Sequence, residues 1–230
     1  MLTQILENFS PMYTKPTPFD PTVLNDPLAL QIVWTPVRKG GANFQTHRLV
    51  SVHPCRMEFR STAGFLLFGG SFMFIGVCAI LFFGGSSIIP ILAGLVFVLM
   101  GGWLIHIGFI PIVIDKEEKA IWKGRKSPRE VFNVSELKDY TEIKNIHALQ
   151  LISELCNSGE TTTIYCGGTT RGSDNSGIGN RKPPFISYEL NLVLKDGTRI
   201  NLVDHGNQEE LIADAQTLAE FLGVPLWNAL

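Results

Sequence analysis

Residues 61–114 read STAGFLLFGGSFMFIGVCAILFFGGSSIIPILAGLVFVLMGGWLIHIGFIPIVI, a stretch without any Asp, Glu, Lys or Arg. One membrane-spanning helix needs about 20 apolar residues, so this stretch is long enough for two. The segment 84–87 reads Gly-Gly-Ser-Ser and separates helices that we predict at 62–83 and 87–110. The turn is too short for a folded loop. The sequence therefore predicts an antiparallel transmembrane hairpin at 61–110.

Lysine and arginine flank both ends of the apolar stretch, whereas the turn at 84–87 contains neither. In membrane proteins these residues concentrate in the cytoplasmic segments. The flanking cations are Arg48, Arg56, Arg60, Lys116, Lys119, Lys123, Arg125, Lys126 and Arg129. We therefore expect a multi-pass protein of the inner (plasma) membrane with both termini in the cytoplasm.

Glycines recur along both predicted helices, and in lipid small residues let helix backbones approach closely. The glycines that we expect at helix contacts are Gly69, Gly70, Gly76, Gly94, Gly101 and Gly102. These contacts lie either within the hairpin or against another membrane subunit, which includes a second copy of the chain.

His106 is the only histidine in the apolar run, and an ionisable side chain within a membrane is a candidate functional group. Gly108 and Pro111 indicate that the helix ends nearby, and Trp103 fits an interfacial belt of aromatic residues. Two interpretations follow: a position at the level of the lipid headgroups, and a proton relay. A relay normally also needs a carboxylate in the bilayer, and the run contains none.

The remainder of the 230-residue chain is long enough for one domain of ordinary size. The net charge of −2 gives no reason to expect a nucleic-acid partner. Cys55, Cys78, Cys156 and Cys166 have no C-x-x-C spacing, so the sequence predicts neither a zinc site nor a disulfide framework.

Seven strands are predicted outside the hairpin from alternating apolar residues and from turn residues. They are expected at 30–36, 46–60, 111–115, 119–123, 143–156, 186–195 and 198–204. Asp196-Gly197 predicts a type I′ turn between the last two strands. Residues 143–155 also fit a helix by their apolar spacing, but neighbouring strands favour a strand there.

One amphipathic helix is predicted after the last strand. Asn207 is its expected N-cap and Gly223 its expected end. Residues 1–29 are rich in proline and are predicted to form an irregular arm. Residues 157–184 are rich in Gly, Ser, Thr and Asn, lack a phosphate-loop motif, and are predicted to form a flexible loop within the β-domain.

Seven antiparallel strands followed by one helix resemble the pleckstrin-homology-like fold. In this order of elements the chain is similar to small bacterial membrane proteins with such domains. The resemblance implies an α+β cytoplasmic domain split between 30–60 and 111–230, with the hairpin inserted between strands two and three. It also implies an adaptor or assembly role close to lipid. Alternatively, the hairpin of the first two strands pairs with nothing else, and the C-terminal strands form a smaller sheet alone.

The chain has no H-E-x-x-H, no G-x-S-x-G and no paired carboxylates in an apolar setting. We therefore expect no catalysis, no cofactor and no metal. The first hypothesis is a membrane protein whose β-domain binds lipid headgroups or a protein partner through Lys123, Arg125, Lys126 and Arg129. The alternatives are an accessory subunit of a membrane complex, engaged through its glycine-rich helix faces, and an enzyme or ion-handling protein that uses His106.

Overall fold

The computed structural model of the protein describes residues 19–85, 87–156 and 184–230. These residues form two long apolar helices, two β-sheets and one C-terminal helix. The arm predicted at 1–29 is described only from residue 19. Nearly all of the loop predicted at 157–184 lies outside the described residues.

Helices α1 (Ala63–Phe83) and α2 (Ile88–Gly108) form the predicted hairpin, and each has 21 residues. At about 1.5 Å per residue, such a helix matches the roughly 30 Å hydrocarbon core of a bilayer. Thr62 begins α1, because its Oγ1 accepts a hydrogen bond from the backbone N–H of Phe65. The same hydroxyl donates to the carbonyl of Gln45 at 2.6 Å. By length and composition, both helices could cross a membrane.

Sheet one contains five antiparallel strands in chain order. They are β1 (His47–His53), β2 (Arg56–Ser61), β3 (Ile112–Asp115), β4 (Ala120–Lys123) and β5 (Lys138–Glu142). The helical hairpin connects β2 to β3, and these two strands pair directly, from Arg56 opposite Asp115 to Phe59 opposite Ile112. The hairpin is therefore an insertion within one sheet.

Sheet two has the strand order β8-β7-β6-β9, with β9 parallel to β6. Its strands are β6 (Ile146–Cys156), β7 (Phe185–Leu194), β8 (Arg199–His205) and β9 (Leu226–Asn228). Helix α3 (Gln208–Leu222) lies between β8 and β9 in the chain. Its ends are those predicted: the side chain of Asn207 accepts from the N–H of Glu210, and Gly223 ends the helix with φ +70°.

The core lies between the two sheets and beneath α3. Its fully buried aliphatic and aromatic side chains include Phe59, Ile114, Ile121, Leu149, Leu151, Leu190, Leu192, Leu211 and Leu218. Strand β6 is largely buried on both faces, because the segment 19–37 packs on its second face. There Ala29 packs with Ala148 and Trp227.

The prediction of seven strands is wrong, because the described residues form nine strands in sheets of five and four. No strand forms at 30–36. The indole of Trp34 donates to the carbonyl of Ala29 at 2.9 Å, and the segment covers sheet two without pairing with it. The strand predicted at 46–60 divides at a turn containing Pro54 into β1 and β2.

Three local features also differ from the prediction. The sequence predicts neither β5 nor β9. The turn after β7 is not of type I′, because only Gly197 of the Asp196-Gly197 pair has a positive φ. The N–H of Gly197 donates to the carbonyl of Leu194 at 2.9 Å, which closes the turn around Lys195 and Asp196.

Candidate functional site

A cleft of about 620 Å³ lies where the last turns of α2 meet the strand ends of sheet one. Ligand sites in proteins commonly measure about 300–1,000 Å³. The lining residues are His47, Phe65, Trp103, His106, Ile107, Gly108, Ile110, Lys123, Gly124, Arg125, Lys126 and Lys138. The lining thus combines basic side chains from the sheet and its following loop with apolar side chains from the helices.

Strand register brings two lysines to this cleft. Lys123 is the last residue of β4 and lies opposite Ile112, the first residue of β3 after the hairpin. Lys138 is the first residue of β5 and the cross-strand partner of Lys123. Both lysines therefore lie at the end of sheet one that adjoins α2.

The loop after β4 adds two further cations. Gly124 has φ +150°, a conformation that favours glycine, and its N–H donates to the carbonyl of Pro111 at 3.0 Å. The chain then turns, and Nε of Arg125 lies 3.4 Å from the carbonyl of Phe109, just beyond α2. A cation at this end of a helix is favourable because the last carbonyls carry partial negative charge. Lys126 follows and is exposed.

Aromatic and aliphatic side chains of the two helices form the apolar part of the lining. Phe65 comes from α1, and Trp103 and Ile107 come from α2. Trp103 is 62% exposed, so most of its ring is free to contact a ligand or lipid. A Cβ on Gly108 would lie 2.8 Å from Cε1 of Phe65, so glycine at this position allows the aromatic ring to pack closely.

Lys123, Arg125, Lys126 and Lys138 line the cleft without any Asp or Glu, so its lining carries a net positive charge. Burial lowers the pKa of Lys123, and the positive charges of Lys138 and Arg38 lower it further. Asp139 and Asp204 act in the opposite direction without reversing the shift. The positive charge at Lys123 is therefore only partly compensated, and an anion bound nearby would stabilise it.

His47 contributes a polar but uncharged group at neutral pH. Burial lowers the pKa of His47 to about 4, and the charges of Lys123 and His205 act in the same direction. Its Nδ1 lies 3.0 Å from Oγ1 of Thr46. A neutral imidazole can serve as a hydrogen-bonding group for a ligand without adding charge.

His106 lies in the last turn of α2, where it is exposed and lines the cleft. Its neighbours in the cleft include Trp103 and Lys123. No carboxylate is among these lining residues, so the cleft does not supply the second group of a proton relay.

The structure brings together three of the four basic residues that the sequence predicts as a surface. Lys123, Arg125 and Lys126 line the cleft, but Arg129 does not. Nε of Arg129 lies 2.9 Å from Oε1 of Glu118, in the turn between β3 and β4. That turn is at the end of β3 away from α2, so Arg129 lies apart from the other three cations.

Sequence reasoning missed Lys138, His47 and Phe65 as site residues. Lys138 begins a polar strand whose sequence, KDYTE, gives little apolar signal, so its pairing with Lys123 was not foreseeable. His47 and Phe65 lie close to the start of the apolar run. In an antiparallel hairpin the two ends of the apolar run lie side by side. Comparing the residues at these two ends could therefore have identified both His47 and Phe65.

Four of the six predicted glycines form the contact between α1 and α2. A Cβ on Gly101 would lie 2.6 Å from the carbonyl oxygen of Gly69, and a Cβ on Gly94 would lie 2.6 Å from that of Gly76. The helices therefore meet at two reciprocal glycine pairs, and any side chain there would force them apart.

Gly70 and Gly102 have a different environment from the other four glycines. An added Cβ would have no neighbouring atom within 4 Å at either position. These two glycines therefore take no part in the contact between α1 and α2, and the space beside them is open.

In the part of the chain that the structure describes, no group of three His, Cys, Asp or Glu side chains could hold a metal ion. Cys55, Cys78 and Cys156 form no disulfide with one another. Cys166 lies outside the described residues.

No protein-family model and no curated protein matches the chain significantly. The assignment of function therefore depends on the residues of the cleft and on its position beside the helical hairpin.

Proposed function

We propose that the protein is a non-catalytic integral membrane protein that binds anionic lipid headgroups in this cleft. Helices α1 and α2 would span the inner (plasma) membrane, and both sheets would lie on the cytoplasmic side with the two termini. The basic residues before α1 and after α2, together with an uncharged turn at 84–87, support this orientation. Sheet one joins both ends of the hairpin and would hold the cleft at headgroup level.

The division of the cleft into two walls carries this proposal. The cationic wall consists of Lys123, Arg125, Lys126 and Lys138, and the apolar wall includes Phe65, Trp103 and Ile107. A phospholipid has the same division between an anionic headgroup and apolar chains. Close to an anionic leaflet, each cation can contribute about 1 kcal/mol to binding.

We further propose that the β-domain is related to pleckstrin-homology-like domains of small bacterial membrane proteins. Antiparallel sheets followed by a helix support this relationship, although the nine strands differ in number from the seven expected. A role as an adaptor at the membrane surface would follow, with a protein partner binding the domain outside the cleft.

Trp103 provides a direct test of lipid binding, because it is exposed and lies in the cleft. The full chain would be reconstituted in phosphatidylcholine nanodiscs that contain a fixed fraction of lipid with brominated chains. Bromine quenches indole fluorescence on contact. We expect brominated phosphatidylglycerol to quench Trp103 more strongly than brominated phosphatidylcholine at the same fraction, and Trp103→Phe identifies the signal of this residue.

A matched pair of variants tests whether the cleft cations are responsible. The double variant Arg125→Gln, Lys126→Gln should reduce the difference between the two lipids. Arg129→Gln removes a cation of the same loop that lies outside the cleft, and it should leave the difference unchanged. Equal quenching by both lipids in the unaltered protein would contradict the proposal.

The open faces around Gly70 and Gly102 favour a second candidate function, as a subunit of a membrane complex. Small residues on a lipid-facing surface allow another helix to approach closely. This function is compatible with lipid binding, because neither glycine lines the cleft.

A further inference from the structure

We propose that the cleft selects a lipid whose headgroup is a phosphomonoester, with two negative charges, over a phosphodiester lipid with one. This inference rests on the proposed function, because it assumes that an anionic lipid occupies the cleft. It adds the chemical class of the headgroup.

The pairing of Lys123 with Lys138 brings two positive charges together at one end of sheet one. The two residues are cross-strand partners beside a register shift in β4, and both line the cleft. Like charges at directly opposite positions destabilise a sheet. A group with two negative charges between the two ammonium groups would neutralise both, whereas a single charge would neutralise one.

The remaining charges around this pair point in the same direction. Arg125 and Lys126 approach from the loop, and no carboxylate lines the cleft. Asp139 and Asp204 act on Lys123 with the opposite sign. Asp139 lines a small neighbouring pocket together with both Lys123 and Arg38, so two cations share the charge of that carboxylate. The cationic wall thus has more positive charge than one phosphodiester can balance.

The phosphate chemistry matches this excess of charge. A phosphomonoester has a second pKa of about 6, so it carries a charge of about −1.5 to −2 at neutral pH. It also presents three terminal oxygens that accept hydrogen bonds, and the extra oxygen can accept from another lysine or arginine. A phosphodiester has only two terminal oxygens and no second ionisation.

The apolar wall decides between a lipid and a soluble phosphate ester. Phe65, Trp103 and Ile107 offer a surface that a small polar ester cannot cover. Removing apolar area on this wall from water favours binding of an acyl chain. The ligand is therefore an amphiphile, with its phosphate at the lysine pair and its chains along α2.

The experiment titrates the full chain in detergent micelles with lipids that have identical brominated chains, with Trp103 fluorescence as the readout. At pH 7.5 we expect phosphatidic acid to bind about tenfold more tightly than phosphatidylglycerol, which corresponds to one additional charge-assisted contact. At pH 5 this ratio should fall towards one, because the second phosphate proton returns. Comparing the two lipids at each pH isolates the contribution of the headgroup.

Variants link the ratio to the lysine pair. Lys138→Gln alters an exposed side chain, so the protein should fold, and the ratio should drop several-fold. Arg129→Gln is the matched control and should keep the ratio. An unchanged ratio in Lys138→Gln would overturn the assignment of the phosphate to this pair.

Three outcomes separate the inference from the function on which it rests. Equal binding of the two anionic lipids, both tighter than phosphatidylcholine, would overturn the headgroup selection and leave the proposed function standing. Equal binding of all three lipids would overturn both. Displacement of phosphatidic acid by millimolar glycerol 3-phosphate would identify a soluble phosphomonoester as the ligand and overturn the choice of a lipid.

Discussion

Phe59 of β2 and Ile112 of β3 are direct cross-strand partners, although the whole helical hairpin lies between them in the sequence. Both side chains are buried in the core that the two sheets share. Sheet one therefore continues across the insertion, and its strands fix the cleft relative to the ends of the helices.

This pairing predicts that the β-domain folds without its hairpin. Replacing residues 62–110 with a short turn of Gly and Asn residues should give a soluble protein, because antiparallel neighbours are joined by short loops. Circular dichroism and size-exclusion chromatography would show a monomer rich in β-structure. Phe59→Asp in the same shortened chain buries an unpaired charge in the core and should unfold it. Aggregation of the shortened chain itself would contradict the prediction.

Gly101→Leu is expected to destabilise the hairpin, because the new side chain would meet the backbone of Gly69. Overpacking of this kind typically costs about 1–3 kcal/mol. Gly102→Leu is the matched control, since an added Cβ has open space there. The measurement is the loss of helical circular dichroism on titration with sodium dodecyl sulfate. Equal midpoints for the two variants would show that the helices do not meet at this glycine pair.

The double variant Gly70→Leu, Gly102→Leu tests the second candidate function. It should leave the midpoint of the sodium dodecyl sulfate titration unchanged, because neither glycine touches the other helix. If a membrane partner packs on these faces, crosslinking in native membranes should recover less of that partner with the double variant than with the unaltered chain. Identical recovery would remove these faces as the binding surface.

Asp204 is expected to make the fold less stable as the pH rises through the acid range. Burial raises the pKa of Asp204 from 3.8 to about 6. The stabilising contribution of Asp204 is therefore fully present below the pKa of this group in the unfolded chain. It is lost as the pH rises through the pKa in the folded protein. Asp204→Asn keeps an oxygen that can accept from the amide of Asn201 and removes the titration.

The measurement for Asp204 is the free energy of unfolding of both proteins at pH 4 and pH 7. From pH 4 to pH 7, the free energy of unfolding of Asp204→Asn should rise by on the order of 2 kcal/mol relative to that of the unaltered chain. This figure allows for the partial solvent exposure of Asp204. His47 titrates in both proteins, so the comparison isolates Asp204. If the difference in free energy of unfolding between the two proteins is the same at pH 4 and pH 7, Asp204 is not the titrating group.

The hairpin and α3 could be predicted because their signals are local. A run without charged residues has few stable locations outside a membrane, and Asn207 and Gly223 specify the ends of α3 through their own backbone preferences. The segment 30–36 shows the limit of such reasoning. Ile32 and Trp34 pack partly buried against sheet two, whereas Leu30 and Val33 are exposed. A local apolar pattern predicts neither which of these residues pack nor whether they pack through strand pairing.

The cleft could be predicted only in part for a related physical reason. The basic run after α2 is continuous in the sequence, so Lys123, Arg125 and Lys126 were identifiable together. Lys138 joins them through cross-strand register, and Arg129 leaves them through its contact with Glu118. Both facts depend on long-range pairing.

Photocrosslinking tests the central claim most directly. The full chain in nanodiscs would be irradiated with an anionic phospholipid that carries a diazirine on its headgroup, and the modified peptides would be identified by mass spectrometry. Lipid binding in the cleft predicts that crosslinks concentrate between Trp103 and Lys138, and that unlabelled anionic lipid suppresses them. Crosslinks spread evenly over the chain, or concentrated at the turn 84–87, would contradict it.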